Sequence, residues 1–221
     1  MEIKLSEISF IEQLKESESS CVFRVHWHDK DCVMKVYHAW DPSPADPSFR
    51  ELDPFKCESH AYHRLKSAGL CDRGYVPKFY GFIEDIDPGE WEPHLESFRG
   101  DNLRPNAVLM EYVPDMRTID LSNFSHERIH QLRRVLAEMH AAGVYHADAY
   151  PQNMKVQENS GRVLWIGFDH AQTFSTESIT ALQQKWLDEE MELMDYFVGA
   201  LTADFRDGEI NRTWMYYNGS V

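Results

Sequence analysis

Three residues near the middle of the chain, His146, Asp148 and Asn153, are of types that can carry out a proton transfer. They follow the spacing H-x-D-x-x-x-x-N, between a long predicted helix and a predicted β-hairpin. A hydroxyl or amine nucleophile needs a carboxylate within hydrogen-bonding reach, and a loop held by an imidazole and an amide can place one. The spacing therefore makes Asp148 the candidate general base, and His146 is grouped with it as a candidate catalytic residue.

A second candidate pair lies upstream. Lys35 falls inside the strand pattern VMKVY, and Glu58 falls in the first turns of a helix predicted over 55–69. A phosphate-rich donor needs a fixed cation, which a lysine on a rigid strand supplies and a glutamate from a facing helix orients. We therefore expect Lys35 and Glu58 to form the donor-binding half of the site that contains Asp148.

The predicted elements follow from hydrophobic periodicity. Alternating apolar residues predict a β-hairpin over 21–37, and four prolines with three aspartates predict a loop over 40–54. Apolar residues at helical spacing predict a helix over 126–142, with Ser125 as its N-cap. The remaining predicted elements are strands at 76–83, 107–113, 154–156 and 162–168 and a final helix at about 177–202.

In this order of elements the chain resembles the protein-kinase-like superfamily over roughly residues 18–172. Besides Lys35 and Glu58, Pro151 matches the proline that the superfamily usually has in its catalytic loop. The chain resembles the small kinase-like proteins common in fungal genomes more than the regulated signalling kinases. The resemblance implies an α+β, bilobed fold, with a β-rich N-lobe over 1–113 and a reduced helical C-lobe over 114–221 that contains the catalytic-type loop 145–153.

The resemblance also implies site roles. It implies ATP and magnesium as cofactors, with Lys35 on the phosphates and with Glu111 and Val113 beside the adenine. It implies that Asn153 holds the metal. Asp169 is the candidate for the second metal-holding position.

Two departures from the superfamily pattern count against ordinary nucleotide binding. There is no glycine between Met1 and Lys35, so we expect no counterpart of the glycine-rich loop that wraps phosphates. Gly167 stands before Phe168, where relatives carry the metal-binding aspartate. Asp169 lies two residues later, which in a continuing strand keeps the same face but shifts the position by about 7 Å.

Three functions remain open on this reading. The first is a transferase that moves a phosphoryl group from ATP to a small molecule, with Asp148 as base. The second is a kinase fold repurposed for other chemistry, such as the synthesis of arginine-containing cyclodipeptides from aminoacyl-tRNA. The third is a non-catalytic pseudokinase that binds a partner. About fifty residues follow Ala171, too few for the segments with which signalling kinases dock proteins, so we do not expect peptide substrates.

The composition excludes several further classes of protein and of binding partner. With 221 residues, 43% hydrophobic and 27% charged, the chain can bury a core and is not disordered. The balance of 22 basic against 37 acidic residues, a formal charge of −15, disfavours non-specific binding to nucleic acids. The four cysteines form no CxxC pair and the eleven histidines show no zinc spacing, so we assign no metal to them. No stretch reads as a secretion signal or membrane helix, and we expect a cytoplasmic protein.

The last predicted helix carries an acidic run. Its members are Asp188, Glu189, Glu190 and Glu192. We expect this run to form a solvated helix face, because charged residues cluster on such faces. Glu189 is kept as a candidate ligand for a cationic group, since this helix lines the substrate cleft in some relatives.

Overall fold

The computed structural model describes residues 3–218, which form both helices and antiparallel sheets, so the predicted α+β class is confirmed. The elements are β1 Ile8–Glu16, β2 Ser20–Trp27, β3 Lys30–Tyr37, α1 Pro54–Ser67, β4 Phe79–Ile83, β5 Asn106–Glu111, β6 Met116–Thr118, α2 His126–Ala141, β7 Val144–Tyr145, β8 Met154–Gln157, β9 Val163–Trp165, β10 Gln172–Thr173, α3 Ala181–Asp207 and α4 Trp214–Asn218. The strand-rich part comes first and the helical part second, as a kinase-like fold requires. The boundary between 113 and 114 falls between β5 and β6, and the division into two domains stays a prediction.

A five-stranded antiparallel sheet in the order β1-β2-β3-β5-β4 dominates the first half. In its central strand β3, Lys35 lies opposite Val22 of β2 and Val108 of β5. Because successive side chains of a strand point to opposite faces, the fully buried Met34 and Val36 share one face and Lys35 lies on the other. The register of β3 thus directs the lysine away from the core behind the sheet.

Strand β1 was not predicted from the sequence, where the hairpin begins only at Cys21. Most residues of β1 are exposed because it is the edge strand, so no apolar alternation marks it. The prediction of the β2–β3 hairpin is otherwise confirmed, with its turn at His28 and Asp29.

Helix α1 begins where the sequence favours it. The Asp53 side chain accepts hydrogen bonds from the backbone N–H groups of Phe55 (3.0 Å) and Lys56 (3.4 Å), and Pro54 occupies the first helical position. The buried face of the helix includes Tyr62 and Glu58, which is 2% exposed. The helix therefore carries a carboxylate into the interior beside the sheet.

The second half is built on α2 and α3. The predicted apolar stripe of α2 is confirmed, because Ile129, Leu132, Leu136 and Met139 are fully buried. Helix α3 begins four residues after its predicted start, since Thr180 and Gln183 form a reciprocal capping box. Among residues 3–218, no helix is long and apolar enough to cross a bilayer. A cytoplasmic location stays a prediction.

Candidate functional site

A cavity of about 450 Å³ lies between the five-stranded sheet and the loop that follows β7. It is lined by residues of both halves of the chain. The predicted site residues that line it are Lys35, Glu58, Glu111, Val113, Asp148, Asn153 and Asp169. The fold therefore brings the donor half and the acceptor half of the predicted site to one cavity.

Lys35 is held between two carboxylates. Its Nζ lies 3.1 Å from the Glu58 Oε2 and 2.8 Å from the Asp169 Oδ2. The Phe168 backbone N–H donates to the Glu58 Oε1 at 3.4 Å, which ties the helix to the segment that carries Asp169. One positive and two negative groups therefore meet on the cavity wall.

The charges of Lys35 and Asp169 support each other. Burial lowers the pKa of Lys35, but the negative charges of Glu58 and Asp169 outweigh it and raise that pKa above its ordinary value. Burial would raise the pKa of Asp169, but Lys35 holds that pKa below its usual range. Burial raises the pKa of Glu58 despite the neighbouring ammonium. At neutral pH, Lys35 is therefore protonated and Asp169 ionised.

Asp169 does not sit in a continuing strand. Strand β9 ends at Trp165, and Gly167 adopts a left-handed backbone conformation with φ +79°. The expectation of a same-face position shifted along a strand is therefore wrong, because the chain turns at Gly167. This turn directs the Asp169 carboxylate to Lys35.

The Asp148 carboxylate is anchored by Asn153. The Asn153 Nδ2 donates to the Asp148 Oδ2 at 2.6 Å and to the Asp148 carbonyl oxygen at 2.8 Å. The other carboxylate oxygen, Oδ1, has only a long contact of 3.5 Å with the Gln152 Nε2. One oxygen of Asp148 is thus fixed while the other can accept a proton.

His146, unlike the other residues of the predicted catalytic and cofactor sets, is fully buried and does not line the cavity. Its Nε2 donates to the Ile166 carbonyl oxygen (3.0 Å), and its Nδ1 accepts from the Asp148 N–H (3.3 Å). Burial lowers the pKa of His146, which favours the neutral ring that these two bonds require. The ring therefore braces the loop that carries Asp148.

Glu190 is a site residue that the sequence analysis missed. It is 5% exposed, and its carboxylate accepts hydrogen bonds from the N–H groups of His146 (3.1 Å) and Ala147 (2.7 Å). It also lies 2.6 Å from the His140 Nε2. Ala147 has a φ of +65°, a rare value for a residue with a side chain, and the hydrogen bond that its N–H donates to Glu190 holds it there.

The prediction that the acidic run is a solvated face is wrong for Glu190, although Asp188 and Glu189 are exposed. Leu187, Glu190 and Met194 lie three and four residues apart on the buried stripe of α3, and this spacing could have identified the residue. Glu189 does not line the cavity, and it forms an exposed ion pair with Lys185.

The cavity is largely apolar and includes Val113 in its lining. Its apolar lining includes Leu14, Val22, Val33, Met110, Met116 and Ile166. The Glu111 carboxylate is engaged elsewhere, since Arg162 donates to its Oε1 at 3.0 Å and the Lys78 N–H donates to its Oε2 at 3.0 Å. Burial would raise the pKa of Glu111, but these donors hold it below its usual range.

A turn between β1 and β2 also borders the cavity, through Ser17 and Ser20. The Ser17 hydroxyl donates to the Ser20 carbonyl (3.0 Å) and accepts from the Ser20 N–H (3.2 Å). This turn carries serines that bond to each other and no glycine. The expectation that the chain has no counterpart of the glycine-rich phosphate-wrapping loop stays a prediction.

The donor atoms fit a hard cation that is shared with a phosphate. Asp169 contributes a carboxylate and Asn153 an amide oxygen, and Mg²⁺ typically takes one or two carboxylates together with substrate phosphates and water. Within residues 3–218, no group of three or more His, Cys, Asp or Glu side chains is arranged to hold a metal by itself. The residues thus suit a metal that arrives with a nucleotide.

A family model described as the lipopolysaccharide kinase (Kdo/WaaP) family matches residues 101–215, just over half of the chain. The matched region contains Asp148, Asn153, Asp169 and Glu190. Lys35 and Glu58 lie before it. A comparison with curated proteins gave no match.

Proposed function

Because the chain belongs to the lipopolysaccharide kinase (Kdo/WaaP) family, we propose that it transfers a phosphoryl group from ATP to a hydroxyl group of a small molecule. One observation carries this proposal: the Lys35–Glu58 ion pair and the Asp148 carboxylate line the same cavity. A cation for the donor phosphates and a base for the acceptor are the two groups that phosphoryl transfer needs from a protein.

The cavity fits a nucleotide in size and character. Its volume of about 450 Å³ lies within the range of small-molecule sites. The apolar part of the lining suits a purine, and Lys35 suits the phosphates. Mg²⁺ supplied with ATP would neutralise phosphate charge, and Asn153 and Asp169 are the residues that would hold it.

In the proposed reaction, one bond forms and one bond breaks at the γ-phosphorus of ATP. The acceptor oxygen attacks the γ-phosphorus, an oxygen–phosphorus bond forms, and the bond from the γ-phosphorus to the bridging oxygen breaks to release ADP. The hydroxyl proton passes to Asp148, whose Oδ1 is the less engaged oxygen. His146 acts as a positioning residue, since it touches the backbone around Asp148 and not the cavity.

The family name makes a hydroxyl-rich saccharide the first acceptor to test. The family match lends no support to cyclodipeptide synthesis from aminoacyl-tRNA or to a pseudokinase role. Gly167 in place of the metal-binding aspartate and the serine turn in place of a glycine-rich loop are features that would also be expected of a pseudokinase. A non-catalytic protein is therefore one outcome of the experiment below.

The experiment combines thermal unfolding with ATP turnover. MgATP should raise the melting temperature of the wild type and not that of Lys35→Met, because only a ligand of the folded state stabilises it. Lys30→Met is the matched control, as Lys30 is an exposed lysine of the same strand. With saccharide acceptors present, Asp148→Asn should keep MgATP binding but lose about 100-fold or more in turnover.

Asp72→Asn, at an exposed aspartate, should leave turnover unchanged. Full activity of Asp148→Asn would remove this residue as the base. If MgATP neither stabilises the wild type nor is consumed by it, the phosphotransferase proposal is wrong.

A further inference from the structure

Gln172, the first residue of β10, makes an unusual number of contacts for a side chain that is 7% exposed. Its Oε1 accepts from the Glu51 N–H at 2.8 Å, and its Nε2 donates to the Glu51 carbonyl at 3.0 Å. The Nε2 is also within bonding distance of the carbonyl oxygens of His170 (3.2 Å) and Ala171 (3.0 Å) and of the Cys57 Sγ (3.6 Å). One amide therefore joins the stretch from Glu51 to Cys57 to the segment that carries Gln172.

These segments lead to the two carboxylates that hold Lys35. Cys57 immediately precedes Glu58 on α1, and Glu51 lies two residues before the N-cap of that helix. Gln172 itself follows Asp169 by three residues. The paired bonds to Glu51 resemble one rung of a β-ladder, so they fix both the distance and the orientation of the helix start.

The backbone of Gln172 links the same residue to the catalytic-type loop. Gln172 pairs with Tyr145 of β7, and Tyr145 directly precedes His146. A ring contact of Phe49 with Trp186 of α3 supports the segment before α1 from the other side. Gln172 thus lies where the start of α1, the segment after Asp169 and the loop of Asp148 come together.

We propose that Gln172 is a positioning residue whose amide holds α1 against the segment after Asp169, and so keeps Glu58 and Asp169 on Lys35. The arrangement needs no bound ligand and no modification, because the bonds are internal to the chain. Its consequence for turnover rests on the proposed function, whereas its consequence for the structure does not.

Gln172→Met tests the proposal, because methionine has a similar length and volume but no amide. The readout independent of turnover is thiol modification, located by mass spectrometry of peptides. All four cysteines are free and buried, so the folded wild type should react slowly. With the amide lost, Cys57 should react about tenfold faster than in the wild type, because local opening at the start of α1 becomes easier. Amine modification of Lys35 should rise in parallel.

Two further variants control for general damage. Gln184→Met changes an exposed glutamine of α3 whose amide contacts only Asp188, and it should leave Cys57 protected. Gln172→Asn keeps an amide on a side chain that is one methylene shorter, so it reaches Glu51 less well and should expose Cys57 to an intermediate degree. This milder variant also serves if Gln172→Met does not fold.

Turnover gives the second readout. In Gln172→Met, kcat should fall about tenfold while the KM for the acceptor changes less than about twofold, because the donor groups and not the acceptor contacts are displaced. Protection of Cys57 and Lys35 equal to that of the wild type in both Gln172 variants would overturn the proposal. If labelling responds as expected but the wild type consumes no ATP, the proposed function fails and the positioning role stands.

Discussion

A Cβ atom on Gly167 would lie 2.5 Å from the Oδ1 of Asn153. Asn153 in turn donates to the Asp148 carboxylate. Packing of Asn153 against a residue without a side chain is therefore part of what holds Asp148. The glycine that replaces the expected aspartate is linked to the geometry of the loop as well as to the loss of a carboxylate.

Gly167→Ala is expected to lower stability and displace Asn153. The left-handed φ of +79° costs an alanine about 1–2 kcal/mol. The collision with Asn153 should add about 1–3 kcal/mol, as overpacking typically does. Urea unfolding measures the total, and turnover should fall with it because Asp148 loses its anchor.

The matched control for Gly167→Ala is Gly208→Ala. Gly208 also has a φ of +79°, but a Cβ there would have no neighbour within 4 Å. It should therefore show the backbone cost alone. Equal losses in the two variants would mean that the contact with Asn153 is unimportant.

Glu190→Gln should destabilise the protein by about 2–4 kcal/mol, because a buried carboxylate that accepts two backbone N–H groups is replaced by an amide with one acceptor oxygen. Hydrogen exchange at His146 and Ala147 should become faster. Glu189→Gln, at the exposed neighbour, should change stability by less than about 0.5 kcal/mol. Similar losses in both variants would contradict the bracing role.

Arg162→Lys should loosen the link between β9 and the end of β5. The guanidinium donates to the carbonyl oxygens of Gly74 (2.6 Å) and Val76 (3.1 Å) and to Glu111. An ammonium cannot reproduce this fork, so we expect a loss of about 1–3 kcal/mol in urea unfolding. The pKa of Glu111 should rise. Arg206→Lys, at a largely exposed arginine, should have no measurable effect on stability.

Lys155 should make the free energy of unfolding depend on pH in the alkaline range. Burial, with the charge of Lys15, lowers its pKa from 10.5 to about 8. Between these values the unfolded chain binds the proton and the folded chain releases it, so this group makes stability rise with pH across that window. Below about pH 8, Lys155 is charged in both the folded and the unfolded chain, so the full free-energy cost of burying its charge is present.

Lys155→Met should therefore stabilise the protein by about 1–3 kcal/mol at about pH 7, less the hydrogen bond to Thr118, and the gain should shrink towards about pH 10. Urea unfolding at the two pH values measures the difference. Lys185→Met, at an exposed lysine, should show no such dependence. A gain that is independent of pH would assign the effect to packing and not to charge.

The regular elements of the site could be predicted because their signals are local. The apolar residues of α2 recur at helical spacing, and the residue before the helix is a good N-cap. The strand of Lys35 is marked by alternating apolar residues. The loop residues Asp148 and Asn153 are marked in the sequence by their spacing and by their place after the long helix, and their roles stay predictions. Edge strand β1 could not be predicted, since an exposed strand has no alternation of apolar and polar residues.

The amino-acid sequence by itself determined which groups are available for chemistry and which elements carry them: Lys35 on a strand, Glu58 on a helix, and Asp148 on a loop. The tertiary structure alone decided that Asp169 turns to Lys35, that the Glu190 carboxylate binds the backbone of the catalytic-type loop, and that Gln172 joins the segment before α1 to β10. The physical reason is that propensity and periodicity act over a few residues. The partner of a buried polar group, in contrast, is set by packing between segments far apart in the chain.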